Sequence, residues 1–158
     1  MKKSLFIFAL AAGLMALGSC AGNKAEKAEG NAENTEVAVK AEADANVTPE
    51  QKKAMIAAGL VGEADFEKPI FIDFNATWCG PCRQFAPFYE AAAEKYADRG
   101  KFLEVDVDVY GEVANAFGVQ SIPMVVALLP NKPTVTYVGT QDIIGDGVFE
   151  AIVDKLTK

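Results

Sequence analysis

The most constraining stretch of this chain covers residues 70–90, IFIDFNATWCGPCRQFAPFYE. Ile70-Phe71-Ile72-Asp73-Phe74 is a continuous apolar run broken by a single acid. Such a run suits a central strand covered on both faces. A tight turn carrying Cys79 and Cys82 follows, and the pattern beyond it becomes helical. A strand buried on both sides that feeds straight into a helix calls for helices packed on a sheet.

The neighbouring segments supply the rest of that sheet. Thr48-Pro49-Glu50-Gln51 opens a helix, with Thr48 as cap, proline at the first helical position and Gln51 three residues after the cap. This helix carries Met55 and Ile56 and should stop at Gly59. The helix after Cys82 is predicted to place Phe85, Phe88, Ala92 and Tyr96 on one face, to kink at Pro87 and to end near Arg99-Gly100. Strands are expected over 102–107, 124–129 and 134–138, with a short helix over 111–117 and a Gly118 stop. A final helix over 146–156 should present Val148, Ile152 and Leu156. Strands separated by helices, then two strands joined by a short turn, make a mixed α/β sheet.

Ahead of this domain the composition changes twice. Lys2 and Lys3 precede an apolar run over 5–17, shorter than the ~20 residues a membrane-spanning helix needs and suited to a signal peptide. It ends Leu17-Gly18-Ser19-Cys20, which resembles the lipobox of bacterial lipoproteins, where a diglyceride is attached to the cysteine and the peptide is cut before it. The alternative is an ordinary secretory signal with a chance cysteine past the cleavage site. Residues 21–47 are mostly Ala, Glu, Lys, Asn and Gly without an aromatic, so they bury too little to offset their ordering entropy and read as a disordered tether. The expected organisation is a lipoprotein signal peptide over 1–19, a lipid-anchored linker over 20–47 and one folded domain over 48–158.

The chemistry is narrowed by what the chain lacks. It has 158 residues, three cysteines and no histidine, so Cys-His dyads, Ser-His triads and His-ligated zinc are excluded. A structural zinc site needs four ligands against two free thiols here, and a covalent haem site needs histidine where Arg83 stands. A net charge of −7 argues against nucleic acid as the main partner. What remains for Cys79 and Cys82 is thiol–disulfide exchange. Spaced i and i+3 at a helix start, the two sulfurs lie close enough to bond. The unpaired N–H groups and dipole of the helix N-terminus should lower the Cys79 pKa, making it the exposed attacking group, with Cys82 resolving the mixed disulfide. Pro81 is tolerated this early in a helix and stiffens the loop.

Asp73 is the second unusual residue. A carboxyl within a buried strand is costly and stays protonated near neutrality when unpaired. Six residues before Cys79, it is expected beneath the Cys82 sulfur, accepting the Cys82 proton through a water. The alternative is an acid at an exposed strand end, which Ile72 and Phe74 on either side argue against.

Trp78-Cys79-Gly80-Pro81-Cys82 resembles the active site of the thioredoxin family. Asp73-Phe74, Ala86-Pro87, Val105-Asp106-Val107-Asp108, Ser121-Ile122-Pro123 and Val138-Gly139 occur in the family's order, so the resemblance spans about 48–158. It implies a thioredoxin fold, a cis Ile122-Pro123 bond facing the disulfide, and a substrate groove formed by Trp78, Gly80, Pro81, Ile122, Pro123 and Gly139. The spacing from Cys82 to Pro123 is that of plain thioredoxins, and Gly80-Pro81 is similar to the reducing members. Four positions depart from the pattern: Asn75 replaces a frequent tryptophan, Glu104 a frequent lysine, and Ile143-Ile144 bring unusual apolar residues to a loop as a partner surface or a cover for the sheet end. The family's usual first strand is not evident before Thr48.

Together these readings predict an extracytoplasmic protein disulfide reductase with Cys79, Cys82 and Asp73 as catalytic residues and Cys20 as lipid attachment. It needs no cofactor beyond the Cys79–Cys82 disulfide, and no metal. Its partners would be protein disulfides, an electron-donating thiol protein such as a membrane thiol carrier, and the inner or outer membrane of a bacterial envelope, with the domain in the periplasm. An envelope oxidase or isomerase, and a non-catalytic binding module docking through the Ile122-Pro123 edge, are the alternatives.

Overall fold

The structure, a computed structural model, describes residues 46–158. The signal peptide, Cys20 and nearly all of the linker lie outside the described residues. Helix α1 spans Pro49–Ala57, and Thr48 caps it: its Oγ1 accepts from the Gln51 amide at 3.2 Å while Gln51 Oε1 accepts from the Thr48 amide at 2.9 Å. Gly59, at φ 72°, turns the chain out of the helix. A short 3₁₀ turn over Glu63–Glu67 follows in the expected loop. Asp65 fastens it, accepting from the Gly62 amide at 2.8 Å and from Lys101 Nζ at 2.7 Å. The Lys101 ammonium, then the Gly62 amide, hold the Asp65 carboxyl below its ordinary range.

Strands β1 (Ile70–Asn75), β2 (Lys101–Asp106), β3 (Met124–Leu128) and β4 (Val135–Val138) form one sheet in the order β2-β1-β3-β4. β1 pairs parallel with β2 and antiparallel with β3, and β3 pairs antiparallel with β4. Helices α2 (Gly80–Lys95), α3 (Gly111–Ala116) and α4 (Val148–Leu156) complete the domain. This is the mixed sheet flanked by helices that the alternation of elements requires.

Alternation along β1 divides the interior in two. Ile70, Ile72 and Phe74 join Met55 of α1 and Val113 of α3 in one core. Phe71, on the opposite face, joins Phe85 and Tyr89 of α2, Val125 of β3, and Phe149 and Val153 of α4. Full burial of side chains this large stabilises by about 1.5–3 kcal/mol each.

Several expectations need correction. The buried stripe of α2 is Cys82, Phe85, Tyr89 and Ala92, continuing to Tyr96 at its C-cap; Phe88 is only half-buried. The stripe advances by alternating steps of three and four from Cys82, and this phase selects Tyr89 over Phe88. The helix ends at Lys95, a turn earlier than expected. In α4 the buried residues are Phe149 and Val153, while Val148 is exposed. Phe149 is drawn in by aromatic neighbours, its ring centroid lying 5.1 Å from Phe85 and 5.5 Å from Tyr89. Ile143 is fully buried in the same core with Ile144 packed against it, so the loop after β4 covers the sheet. Among the described residues, no helix is long and apolar enough to cross a membrane.

Candidate active site

β1 ends at Asn75 and α2 begins at Gly80, so the intervening turn is held at the edge of the sheet by both elements. Its backbone closes through the Cys79 amide, which donates to the Ala76 carbonyl at 3.1 Å, and through Arg83 Nη1, which donates to the Thr77 carbonyl at 2.9 Å. Cys79 is the N-cap of α2, in extended conformation, and its Sγ accepts from the Cys82 amide at 3.2 Å. A sulfur thus takes the place usually held by a serine or aspartate oxygen at a helix start. Pro81 sits in the first turn, where its missing N–H leaves no partner unsatisfied.

Cys79 and Cys82 are joined by a disulfide, with Cα atoms 5.3 Å apart. They form a small buried cluster with Ala76, against which Val107 and Ile122 pack. Cys79, expected as the exposed group of the pair, is only 4% exposed, the same as Cys82. Packing by this cluster shields both. What separates the two sulfurs is the amide hydrogen bond that Cys79 receives.

Around this turn lie the other residues singled out from the sequence. Trp78 is 65% exposed, and its Nε1 donates to Asp108 Oδ2 at 2.7 Å. The Ile122–Pro123 bond is cis, and the Pro123 carbonyl accepts from the Gly139 amide at 2.8 Å, which places Gly139 beside it. A side chain at Gly80 or Gly139 would meet nothing within 4 Å, so the surface at both is open. Between Trp78, Val107, Ala114, Val119 and Ile122 runs a cleft of about 270 Å³. A larger cleft, of about 430 Å³, lies near Phe66, Leu128 and Pro130. Because Leu128 pairs with Ile70, that cleft is at the far end of β1 from the disulfide and takes no part in its chemistry.

Asp73 is buried, at 2% exposure. Side-chain alternation puts it on the Phe71 face of β1, the side covered by α2 and its Cys82. Burial pushes its carboxyl up from 3.8 to about 6; a hydrogen bond from Asn75 opposes that rise and the nearby Glu104 charge adds to it. Asn75 Nδ2 donates to Asp73 Oδ2 at 3.1 Å, whereas Oδ1 has no hydrogen-bond partner among the described residues. Glu104 is the register partner of Asp73 on β2 and is exposed. Among the described residues there is no group of three or more His, Cys, Asp or Glu side chains able to hold a metal ion.

In the sequence Asn75 reads only as a change in packing, and nothing there marks Asp108 or Arg83 as parts of the turn. For Asn75 a signal was available: two residues after Asp73 on one strand, it shares its face. For Trp78 and Asp108, thirty residues apart, no local spacing announces the contact.

A disulfide turn at a helix N-terminus, set beside a cis-proline loop and at the end of a strand that carries a buried carboxyl, defines a dithiol–disulfide exchange centre. The thioredoxin family profile matches residues 61–147, and the chain belongs to the thioredoxin family, with the active-site CxxC of a thioredoxin-type thiol–disulfide oxidoreductase at Cys79 and Cys82. It is 45% identical over 71 residues to the H-type thioredoxin of Chlamydomonas reinhardtii, covering 45% of this chain and 63% of that relative. It is 39% identical over 75 residues to the thioredoxin of Alicyclobacillus acidocaldarius, covering 48% and 71% respectively. Crystal structures of chloroplastic thioredoxin z and of the germline-specific thioredoxin Deadhead of Drosophila melanogaster superimpose with TM-scores of 0.52 and 0.51, at 28% and 32% identity. The first covers 70% of this chain and 90% of thioredoxin z; the second covers 60% and 86%. The mixed four-stranded sheet with its flanking helices is a thioredoxin fold.

Proposed function

We propose that this protein is a protein disulfide reductase that works outside the cytoplasm, tethered to a bacterial envelope membrane through a lipid on Cys20. The observation that carries the chemistry is the amide hydrogen bond on Cys79 Sγ. In the reduced protein that amide and the helix N-terminus stabilise a Cys79 thiolate, whose attack on a substrate disulfide forms a mixed disulfide and releases one substrate thiol. Asp73, as carboxylate, takes the proton of the Cys82 thiol through a water. The Cys82 thiolate then attacks Cys79 Sγ, re-forming the internal disulfide and releasing the second substrate thiol. Two electrons pass from the dithiol to the substrate. A substrate strand pairs along the Ile122-Pro123 edge, over Trp78, Gly80, Pro81 and Gly139. The electrons are restored by a second thiol protein, such as a membrane-embedded thiol carrier.

The location rests on Lys2, Lys3, the apolar run over 5–17 and the Leu17-Gly18-Ser19-Cys20 sequence. Labelled palmitate should enter the full chain and not a Cys20→Ser variant; equal labelling would remove the anchor from the reading. For the chemistry, the expected result is reduction of insulin disulfides with a dithiol donor. Activity no greater than that of Cys79→Ser would overturn it. A reduction potential of about −270 mV, the value of thioredoxin itself, is expected, whereas about −120 to −180 mV would indicate an oxidase or isomerase. Covalent partners accumulating on Cys82→Ser would identify the substrates and rule out a mere binding module.

A further inference from the structure

The buried carboxyl of Asp73 is held unevenly. Oδ2 accepts from Asn75 Nδ2 at 3.1 Å, while Oδ1, equally enclosed, has no partner among the described residues. A carboxylate only accepts hydrogen bonds, so the Asn75 amide must present its NH₂ group here. We propose that Asn75 is a positioning residue for Asp73: it fixes the rotation of the carboxyl and leaves Oδ1 as the proton-accepting oxygen. The assignment of that proton to Cys82 rests on the function proposed above; the hold of Asn75 on Asp73 does not.

Register makes this pairing a property of the strand. Asp73 and Asn75 lie two residues apart on one face of β1, opposite Glu104 and Asp106 of β2. The titratable groups around Asp73 are Glu104 from β2 and Tyr89 from α2; Cys82, at the start of α2 on the same face, is held in the disulfide and carries no proton here. From β3 it meets Val125, beyond which stands Tyr137 of β4. None of these supplies a cation. The Asn75 donor is therefore the nearby group that favours the charged form, set against burial and the Glu104 charge. Asn75 and Glu104 act in opposite directions on one carboxyl from adjacent strands.

The test follows the Asp73 side-chain carboxyl by carbon-13 NMR as pH is varied, using the oxidised protein so that no turnover is required. In Asn75→Leu, of similar size but without a donor, the Asp73 midpoint should rise by about one pH unit. Asn75→Ser, which keeps a short donor, should fall between that variant and the natural protein. A midpoint unmoved in both variants would overturn the inference. The natural protein gives a second reading that does not depend on the variants folding: the Asn75 side-chain amide resonances should shift with the Asp73 midpoint, and a flat response would also overturn the inference. The pH profile of mixed-disulfide resolution should move upward with the carboxyl in Asn75→Leu. A carboxyl midpoint that rises while that profile stays still supports the hold of Asn75 on Asp73 and counts against Asp73 as the acceptor of the Cys82 proton.

Discussion

The indole of Trp78 is tied to Asp108 by a 2.7 Å hydrogen bond that joins the disulfide turn to the segment after β2. The bond holds an otherwise exposed ring in one orientation beside the cleft that ends at Ile122. Trp78 is the only tryptophan in the chain, so fluorescence excited beyond the absorption of the four tyrosines reports on this ring. Asp108→Ala should lower the fluorescence anisotropy and raise the KM for protein disulfides about fivefold, the effect of losing one exposed charge-assisted bond, with little change in kcat. An unchanged anisotropy would mean that the ring is held by other contacts.

Asp73 ties stability to pH with a definite sign. Its carboxyl rises from 3.8 to about 6 in the fold, so between those values the folded chain keeps a proton that the unfolded chain has released. Stability from this group is therefore greatest below the unfolded pKa and is lost as pH rises through the folded one. Asp73→Asn removes the charge that burial penalises. It should raise unfolding stability by about 3 kcal/mol well above pH 6 and change it little near pH 4. Thermal denaturation at the two pH values checks this, and a variant equally stabilised at both would contradict it.

Tyr89 Oη lies 2.9 Å from the carbonyls of both Phe71 and Leu103 and accepts from the Leu103 amide at 3.1 Å. α2 is thereby bonded to the backbone of β1 and β2 as well as packed on them. Burial pushes this phenol's pKa upward, the Asp73 charge adding to the effect. Tyr89→Phe should cost about 1–3 kcal/mol in urea denaturation, since buried strand groups lose a partner while the ring still fills its space. A cost near zero would show that these strand groups are satisfied without the hydroxyl.

Gly100 lies where α2 returns to the sheet. A Cβ there would stand 3.0 Å from the Pro69 carbonyl oxygen and 3.2 Å from Cε2 of Phe71. The first obstacle is backbone and the second a ring stacked on Phe102 at 4.8 Å, so neither yields easily. Gly100→Ala should destabilise by about 1–3 kcal/mol, as overpacking does. Unaltered denaturation would mean that the chain before β1 shifts freely.

The elements set by short-range chemistry were legible in the sequence. The Thr48–Gln51 capping box needs only residues three apart, and the Cys79–Cys82 turn is announced by its own spacing. Asp73 could be placed in the interior because Ile72 and Phe74 flank it. The faces of α2 and α4 were less legible, because apolar residues lie on more than one side of each helix and neighbouring aromatic rings select the buried one. Tyr89 displaces Phe88 in that way, and Phe149 displaces Val148. Nor does any pattern reveal the Trp78–Asp108 contact, which exists only once β2 has paired with β1.

The two cores carry a consequence for the lifetime of the redox centre. β1 and β3 each contribute alternate residues to both interiors, so neither core can open without dislodging a strand that the other also grips. The Cys79 turn is suspended from the end of β1 and inherits this double hold. Release of the strand that carries the turn is thus coupled to loss of the whole domain. The anchorage of the disulfide turn to the sheet is then lost only with the global unfolding equilibrium.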